Sequence, residues 1–242
     1  MCYNIEFVER RAKKLEERYK NLPPPYKTQT LPEELPVYYF VSGFSHPVLP
    51  IVKDDGIFLF EWGLIPPWIK DSISAKEIQT KTLNAVGETV FEKPSFKQSI
   101  ATHRCLLPVN GFYEWRDVNK IKYPYLISLK SNAIFSLGCI YESWVDKSTG
   151  EEKNTFSILT TPANPLMEKI HNLKKRMPLI LKQEDEAKWV NPKRTAQQVA
   201  DLIKPYDDAD MQAYTISQIA NGVKNNRNVE EIINPVEYPE LF

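Results

Sequence analysis

Short apolar runs separated by turn-forming residues dominate this chain, and helical periodicity is confined to a few segments. Strand-like runs fall at residues 37–41, 48–52 and 57–62, the last two joined by the turn Asp54-Asp55-Gly56. Further runs at 100–107 and 112–116 flank the turn Pro108-Val109-Asn110-Gly111. Residues 124–130, 134–142, 155–160, 179–181 and 211–216 complete the set, with a turn at 147–150. Residues 5–20 are charged and carry a thin stripe of Ile5, Val8, Leu15 and Tyr19, which predicts a surface helix ended by Pro23-Pro24-Pro25. Other predicted helices cover 84–93, 163–171, 184–190 and 195–203. Many short strands with helices between and after them predict an α+β fold. Its sheet is mixed and mostly antiparallel, sandwich- or barrel-like, and flanked by helices. The expected organisation is one domain over 1–242, with residues 1–20 supplying a terminal nucleophile and the surface helix.

Composition narrows the function. The chain has 242 residues, 42% of them hydrophobic, enough for a packed core. Lys and Arg number 31 and so do Asp and Glu, so whole-chain charge gives nucleic-acid binding no support and a local basic patch must carry it. Cys2, Cys105 and Cys139 are too few and too scattered for a disulfide framework or a zinc site. No stretch has the length of a signal peptide or of the ~20 apolar residues of a membrane span. The expectation is a cytoplasmic chain without membrane contact. Glycine-rich phosphate loops are missing too, so no cofactor and no metal is expected.

Cys2 follows Met1 directly. With Met1 removed, Cys2 carries a free α-amine, titrating near ~7.7–8.0, and a thiol near ~8.5. An aldehyde forms an imine with that amine, and the thiol closes on the imine carbon to give a five-membered thiazolidine. An internal cysteine has no such chemistry, because its nitrogen is an amide.

Three polar residues sit among apolar or constrained neighbours. Asn84, in TLNAVGET, reads either as a helix N-cap or as a site residue. Glu114 lies between Tyr113 and Trp115, and alternation puts it on one side with Phe112 and Arg116. It is either an outward carboxylate paired to Arg116, or a partly buried acid whose raised pKa suits proton donation. His171 closes a predicted helix and opens a basic loop. It either complements the helix dipole or serves as a general acid or base. His46 and His103 read as structural.

The order of segments is more specific than any one of them. An N-terminal Cys, WGLIPPW, LNAVGET, PVNGFYEW, and then IH followed by RMPLIL resembles the SOS response-associated peptidase family of abasic-site processing proteins. The resemblance runs from Cys2 to the NGVKNN segment. It implies a thiazolidine between Cys2 and an abasic deoxyribose in single-stranded DNA, with Asn84, Glu114 and His171 completing the catalytic site. It also implies a narrow channel for unpaired DNA, base stacking on Trp68, Met1 removal by self-processing or housekeeping proteolysis, and strand cleavage by β-elimination. A monomer is expected, nucleoid-associated if bacterial. Competing readings are an N-terminal-nucleophile peptidase and a non-catalytic damaged-DNA binder.

The chain departs from the family pattern at several positions. It has Tyr3-Asn4 where members often have Gly-Arg, and Val86 where they carry an Arg. The spacing from His171 to Arg176-Met177-Pro178 is longer, with Lys174 and Lys175 inserted. Two phosphate contacts are thereby lost; Asn4, Trp68, Arg176 and Lys224 are the expected DNA-binding residues, with the Lys174-Lys175-Arg176 run and Lys224 either partly replacing the missing grip or forming an ordinary solvated basic surface.

Overall fold

The computed structural model describes residues 2–22, 31–222 and 224–241. The chain opens with β1 (Asn4–Phe7), α1 (Ala12–Tyr19), β2 (Tyr38–Ser42), β3 (Val48–Lys53), β4 (Gly56–Trp62), α2 (Ser72–Gln79) and β5 (Asn84–Val86). Next come α3 (Ser99–Thr102), β6 (Arg104–Val109), β7 (Gly111–Val118), β8 (Ile121–Leu129), β9 (Phe135–Val145) and β10 (Glu152–Pro162). It finishes with α4 (Pro165–Ile170), β11 (Arg176–Pro178), β12 (Ile180–Leu181), α5 (Gln183–Val190), α6 (Ala196–Ala200) and β13 (Met211–Thr215).

Two sheets organise these elements. In the larger one, β10, β4, β3, β6 and β9 pair in succession, and β9 pairs back to β10, which closes a barrel. The β10 pairings with β4 and β5 are parallel, and those with β9 and β11 antiparallel. The second sheet is antiparallel in the order β13-β8-β7-β1-β2. Its inner face, with Ile5, Phe112, Ile127 and Met211, packs against Leu107, Leu137, Phe156 and Ile158 of the barrel in one core cluster. The architecture is the predicted α+β arrangement with a mostly antiparallel sheet flanked by helices.

The amino-terminal segment differs from its expectation. Residues 4–7 form a strand held between β2 and β7, and the helix starts only at Ala12. The period-2 signal is in the sequence: Asn4, Ile5, Glu6 and Phe7 alternate polar and apolar. Helix-favouring charges further along mask it. All four residues are buried, because Ile5 and Phe7 enter the core while Asn4 and Glu6 lie on the opposite, largely covered face. Ala12, Leu15 and Tyr19 keep the helical stripe and bury it. The helix stop expected at Pro23-Pro24-Pro25 lies outside the described residues.

Residues 84–93 also differ. Asn84 begins a short strand in parallel register with Ile158, so it is no helix N-cap. Tertiary pairing to β10 overrides the local preference there.

The chain beyond β13 straps the outer face of the second sheet. Val236 N–H donates to Thr215 O at 2.9 Å, and Tyr238 Oη donates to Ile216 O at 2.8 Å. Asn228 Oδ1 accepts from Tyr39 N–H at 2.8 Å. Ile216, Ala220 and Ile232 cover Phe40, Tyr113 and Leu126 beneath them. Cys105 and Cys139 stand opposite each other on β6 and β9 as buried free thiols, as expected of core residues. No helix of the described residues is long and apolar enough to cross a membrane.

Candidate active site

Cys2 is fully buried at the head of β1, in the core cluster that holds Ile5 and Phe112. The β1–β7 register pairs Ile5 with Phe112 and Glu6 with Gly111. Counting on, the same register brings Tyr3 level with Glu114. Burial pushes the Cys2 thiol well above its usual pKa, and the neighbouring Glu114 carboxyl pushes it the same way. The sulfur therefore waits as a thiol, not a thiolate.

Glu114 shares its face of β7 with Phe112 and points inward, not toward solvent. Burial raises its carboxyl to about 8, against the opposing pull of the chain's terminal ammonium and, more weakly, of the Lys174 ammonium. At neutral pH it is a carboxylic acid with a proton to give.

His171 caps the C-terminal end of α4, a helix started by Pro165 and by Asn164 Oδ1, which accepts from Met167 N–H at 2.9 Å. Its own N–H donates to Met167 O at 2.7 Å. Nδ1 lies 2.8 Å from Arg176 O, and a carbonyl only accepts, so Nδ1 carries the hydrogen. That leaves Nε2 with a lone pair, 3.7 Å from Glu114 Oε2. Burial drives the imidazole down to about 4, while the bond to the Arg176 carbonyl works the other way. Glu114 and His171 thus face each other as neutral acid and neutral base.

The next residue fixes this approach. Asn172 Nδ2 donates to Asp117 O at 2.7 Å, and Asn172 Oδ1 accepts from Asp117 N–H at 3.0 Å. This two-way clamp ties the end of α4 to β7. Sequence reasoning missed Asn172; the available signal was a polar residue with matched donor and acceptor directly after the histidine.

Asn84 stands on the barrel side. It is 8% exposed, and neither its Oδ1 nor its Nδ2 has a hydrogen-bond partner among the described residues. Leu83, just before it, belongs to the same core cluster as Cys2. Buried amides are rarely left unsatisfied for purely structural reasons.

A cavity of about 190 Å³ opens between Glu114 and His171 on one side and Tyr3, Asn4, Lys122 and Lys174 on the other. Asn4, Trp115 and Lys122 also line a larger groove of about 690 Å³, whose further walls include Phe44, Asn221 and Arg227. Trp115 Nε1 donates to Asn221 Oδ1 at 2.5 Å, which holds the indole in the wall. Phe44 is 56% exposed, and its ring meets Tyr3 at 5.0 Å between centroids. Sequence reasoning passed over Phe44, Trp115, Lys122 and Arg227, because only the fold brings them to one groove.

The structure therefore gathers Cys2, Asn4, Glu114 and His171, while Asn84 lies on the barrel strand β5, paired to β10. The other candidates, Trp68, Arg176 and Lys224, line neither cavity. Trp68 is 53% exposed. Arg176 is engaged by Glu88 through both guanidinium nitrogens, one bond at 2.8 Å, and donates to Thr160 O at 2.7 Å. Lys224 is exposed in the carboxy-terminal strap. No cluster of His, Cys, Asp or Glu among the described residues could hold a metal ion.

Comparison with known proteins places the chain among relatives. A family model described as SOS response associated peptidase (SRAP) matches residues 1–223. The chain is 42% identical over 187 residues to Abasic site processing protein YoqW of Bacillus subtilis, covering 75% of this chain and 80% of the relative. It is 30% identical over 201 residues to Abasic site processing protein HMCES of Gallus gallus, covering 73% of this chain and 56% of that one. A crystal structure of a Bacteroides thetaiotaomicron protein superposes with a TM-score of 0.87 at 38% identity, covering 98% of this chain and 100% of the other. A Bordetella bronchiseptica protein at 19% identity shares the fold, with a TM-score of 0.68. The family model and the relatives show that the chain belongs to the SOS response associated peptidase (SRAP) family.

Proposed function

We propose that this protein captures abasic sites in single-stranded DNA through Cys2, once Met1 has been removed. The observation that carries the reading is the buried Glu114–His171 pair, Nε2 3.7 Å from Oε2 beside the buried Cys2, with burial raising the carboxyl to about 8 and lowering the imidazole to about 4. Its relatives named for abasic site processing give the substrate class.

An abasic deoxyribose is mostly a closed hemiacetal and reacts through its open aldehyde. Opening requires a proton on the ring oxygen and loss of one from the anomeric hydroxyl. Glu114 gives the first and His171 Nε2 takes the second, work suited to a pair with these protonation states. The Cys2 amine then adds to the aldehyde carbon and water leaves, forming an imine. The thiol adds to the imine carbon; the sulfur–carbon bond forms and the thiol proton passes to nitrogen, with the Glu114 carboxylate as relay. Aminothiol and aldehyde become thiazolidine and one water. The imine is also the branch point for β-elimination and strand cleavage. Asn84, with an unsatisfied amide, is suited to holding a sugar oxygen or the amine in line for attack.

The groove suits an unpaired strand. Phe44 and Trp115 offer faces for bases, and Lys122, Lys174 and Arg227 offer charge to phosphates. Arg176 is neutralised by Glu88 and contributes little to that grip. Trp68 remains a candidate stacking face for DNA that leaves the groove.

Incubation with single-stranded DNA carrying one abasic site, followed by denaturing electrophoresis, tests the reading. A shifted band that resists heat and detergent and is lost in Cys2→Ser is expected. Amine blocking that leaves the band intact would overturn the thiazolidine assignment, and a peptidase that uses the thiol alone would survive such blocking.

A further inference from the structure

Asn4 and Glu6 share one face of β1, but Glu6 opens a different cavity. That cavity has about 190 Å³ and shares no lining residue with the groove or with the Glu114–His171 pocket. Val8 and Leu126 give it apolar wall; Asn110, Ser128 and Gln212 give it a polar rim. The rim is held by its own hydrogen bonds. Asn110 Oδ1 accepts from Val8 N–H at 2.9 Å, and Gln212 Nε2 donates to Asn132 Oδ1 at 2.7 Å and to Ser128 Oγ at 3.1 Å. Gly111 leaves the space the carboxylate occupies: a Cβ there would stand 3.0 Å from Glu6 Oε2 and 2.7 Å from Leu126 Cδ1.

Glu6 itself is unusual. It is 6% exposed and, among the described residues, makes neither an ion pair nor a side-chain hydrogen bond. The titratable groups that face it are Tyr113 of β7 and Tyr214 of β13, both with pKa values raised, so neither brings a positive charge. Burial lifts the Glu6 carboxyl to about 7. A carboxylate desolvated in this way is costly by itself and becomes favourable when a cation joins it. Nothing in the proposed DNA chemistry uses it.

We propose that this cavity binds an alkylated cation, an ammonium or guanidinium group on a short hydrocarbon stem, with Glu6 as the counter-charge. The stem lies on Val8 and Leu126, and the head meets the carboxylate with charge-assisted hydrogen bonds. A lysine or arginine side chain on a partner and a small free amine present this same chemistry.

Two-dimensional NMR titration of the full chain tests it with two probes, n-butylguanidinium and the blocked tripeptide acetyl-Gly-Arg-Gly-amide. Saturable shifts at the amides of Val8, Asn110 and Gln212, at least tenfold weaker in Glu6→Gln, are expected. Binding of both probes assigns the site to a side chain on a partner; binding of the free guanidinium alone assigns it to a small molecule. The substitution removes a buried ionisable group and keeps its shape, and the spectrum of the variant reports whether it folds. If neither probe shifts these amides saturably in the wild type, or if Glu6→Gln responds as the wild type does, Glu6 is an ordinary hydrated carboxylate and the proposal is overturned.

Discussion

His171 Nε2 lies 3.7 Å from Glu114 Oε2, and the same burial shifts the two groups in opposite directions. The separation is too long for a direct hydrogen bond, so the Glu114 proton is not shared with the imidazole. Because Glu114 titrates at about 8, its acid form is present at neutral pH and lost as pH rises through that value. His171, at about 4, is unprotonated throughout the same range. The proton-donor contribution to capture therefore falls above pH ~8. Glu114→Gln should slow adduct formation by about 10²–10⁴ and remove that alkaline fall. Quenched time courses between pH 6 and 9.5 check both. An unchanged pH profile in the variant would detach Glu114 from the proton transfer.

Asn84 holds two buried polar atoms that the fold leaves unsatisfied. Removing them should cost the fold nothing. Asn84→Ala is expected to keep or raise the melting temperature while slowing capture at least tenfold, by thermal denaturation and by the capture assay respectively. A substantial drop in melting temperature would show that the amide has a structural partner.

Asn172 acts through His171, as its clamp on the Asp117 backbone spans α4 and β7. Asn172→Ala should loosen the imidazole and slow capture by about tenfold, since small misplacements of reacting groups are costly. In the His171→Ala background the same change should have no further effect, because the two residues act as one unit. Additive losses would place Asn172 in a separate role.

The sequence made much of this site legible, for local reasons. Cys2 is marked by its position, Glu114 by a charge within an apolar strand and His171 by its place at the end of a helix. Each signal lies within a few residues. The β1 strand was hidden because its four alternating residues run into a charged helix-forming stretch. Asn84 was readable as unusual, but its strand exists only through pairing with β10. The groove was not legible at all: Phe44, Trp115, Lys122 and Arg227 come from distant segments, and only the second sheet and its strap bring them together. Arg176 shows the reverse case. A basic run suggests phosphate binding, yet the fold turns its arginine onto Glu88.

That contrast gives a salt-dependence test. Lys122→Glu and Lys174→Glu should weaken binding to single-stranded DNA and flatten the plot of log affinity against log salt, by roughly 0.7 in slope for each phosphate the protein no longer neutralises. Arg176→Gln should leave the slope nearly unchanged, as its charge is already neutralised within the protein. Fluorescence anisotropy across a salt series measures both. A large slope change in Arg176→Gln with none in the lysine variants would relocate the strand.

Intact-mass spectrometry of the purified chain, before and after mixing with an abasic oligonucleotide, probes the central chemistry most directly. The prediction is a species lacking Met1 that gains the mass of the oligonucleotide less one water, with the Cys2→Ser variant giving no stable product of that mass. A trimmed chain that binds this DNA reversibly yet never gains covalent mass would contradict the account.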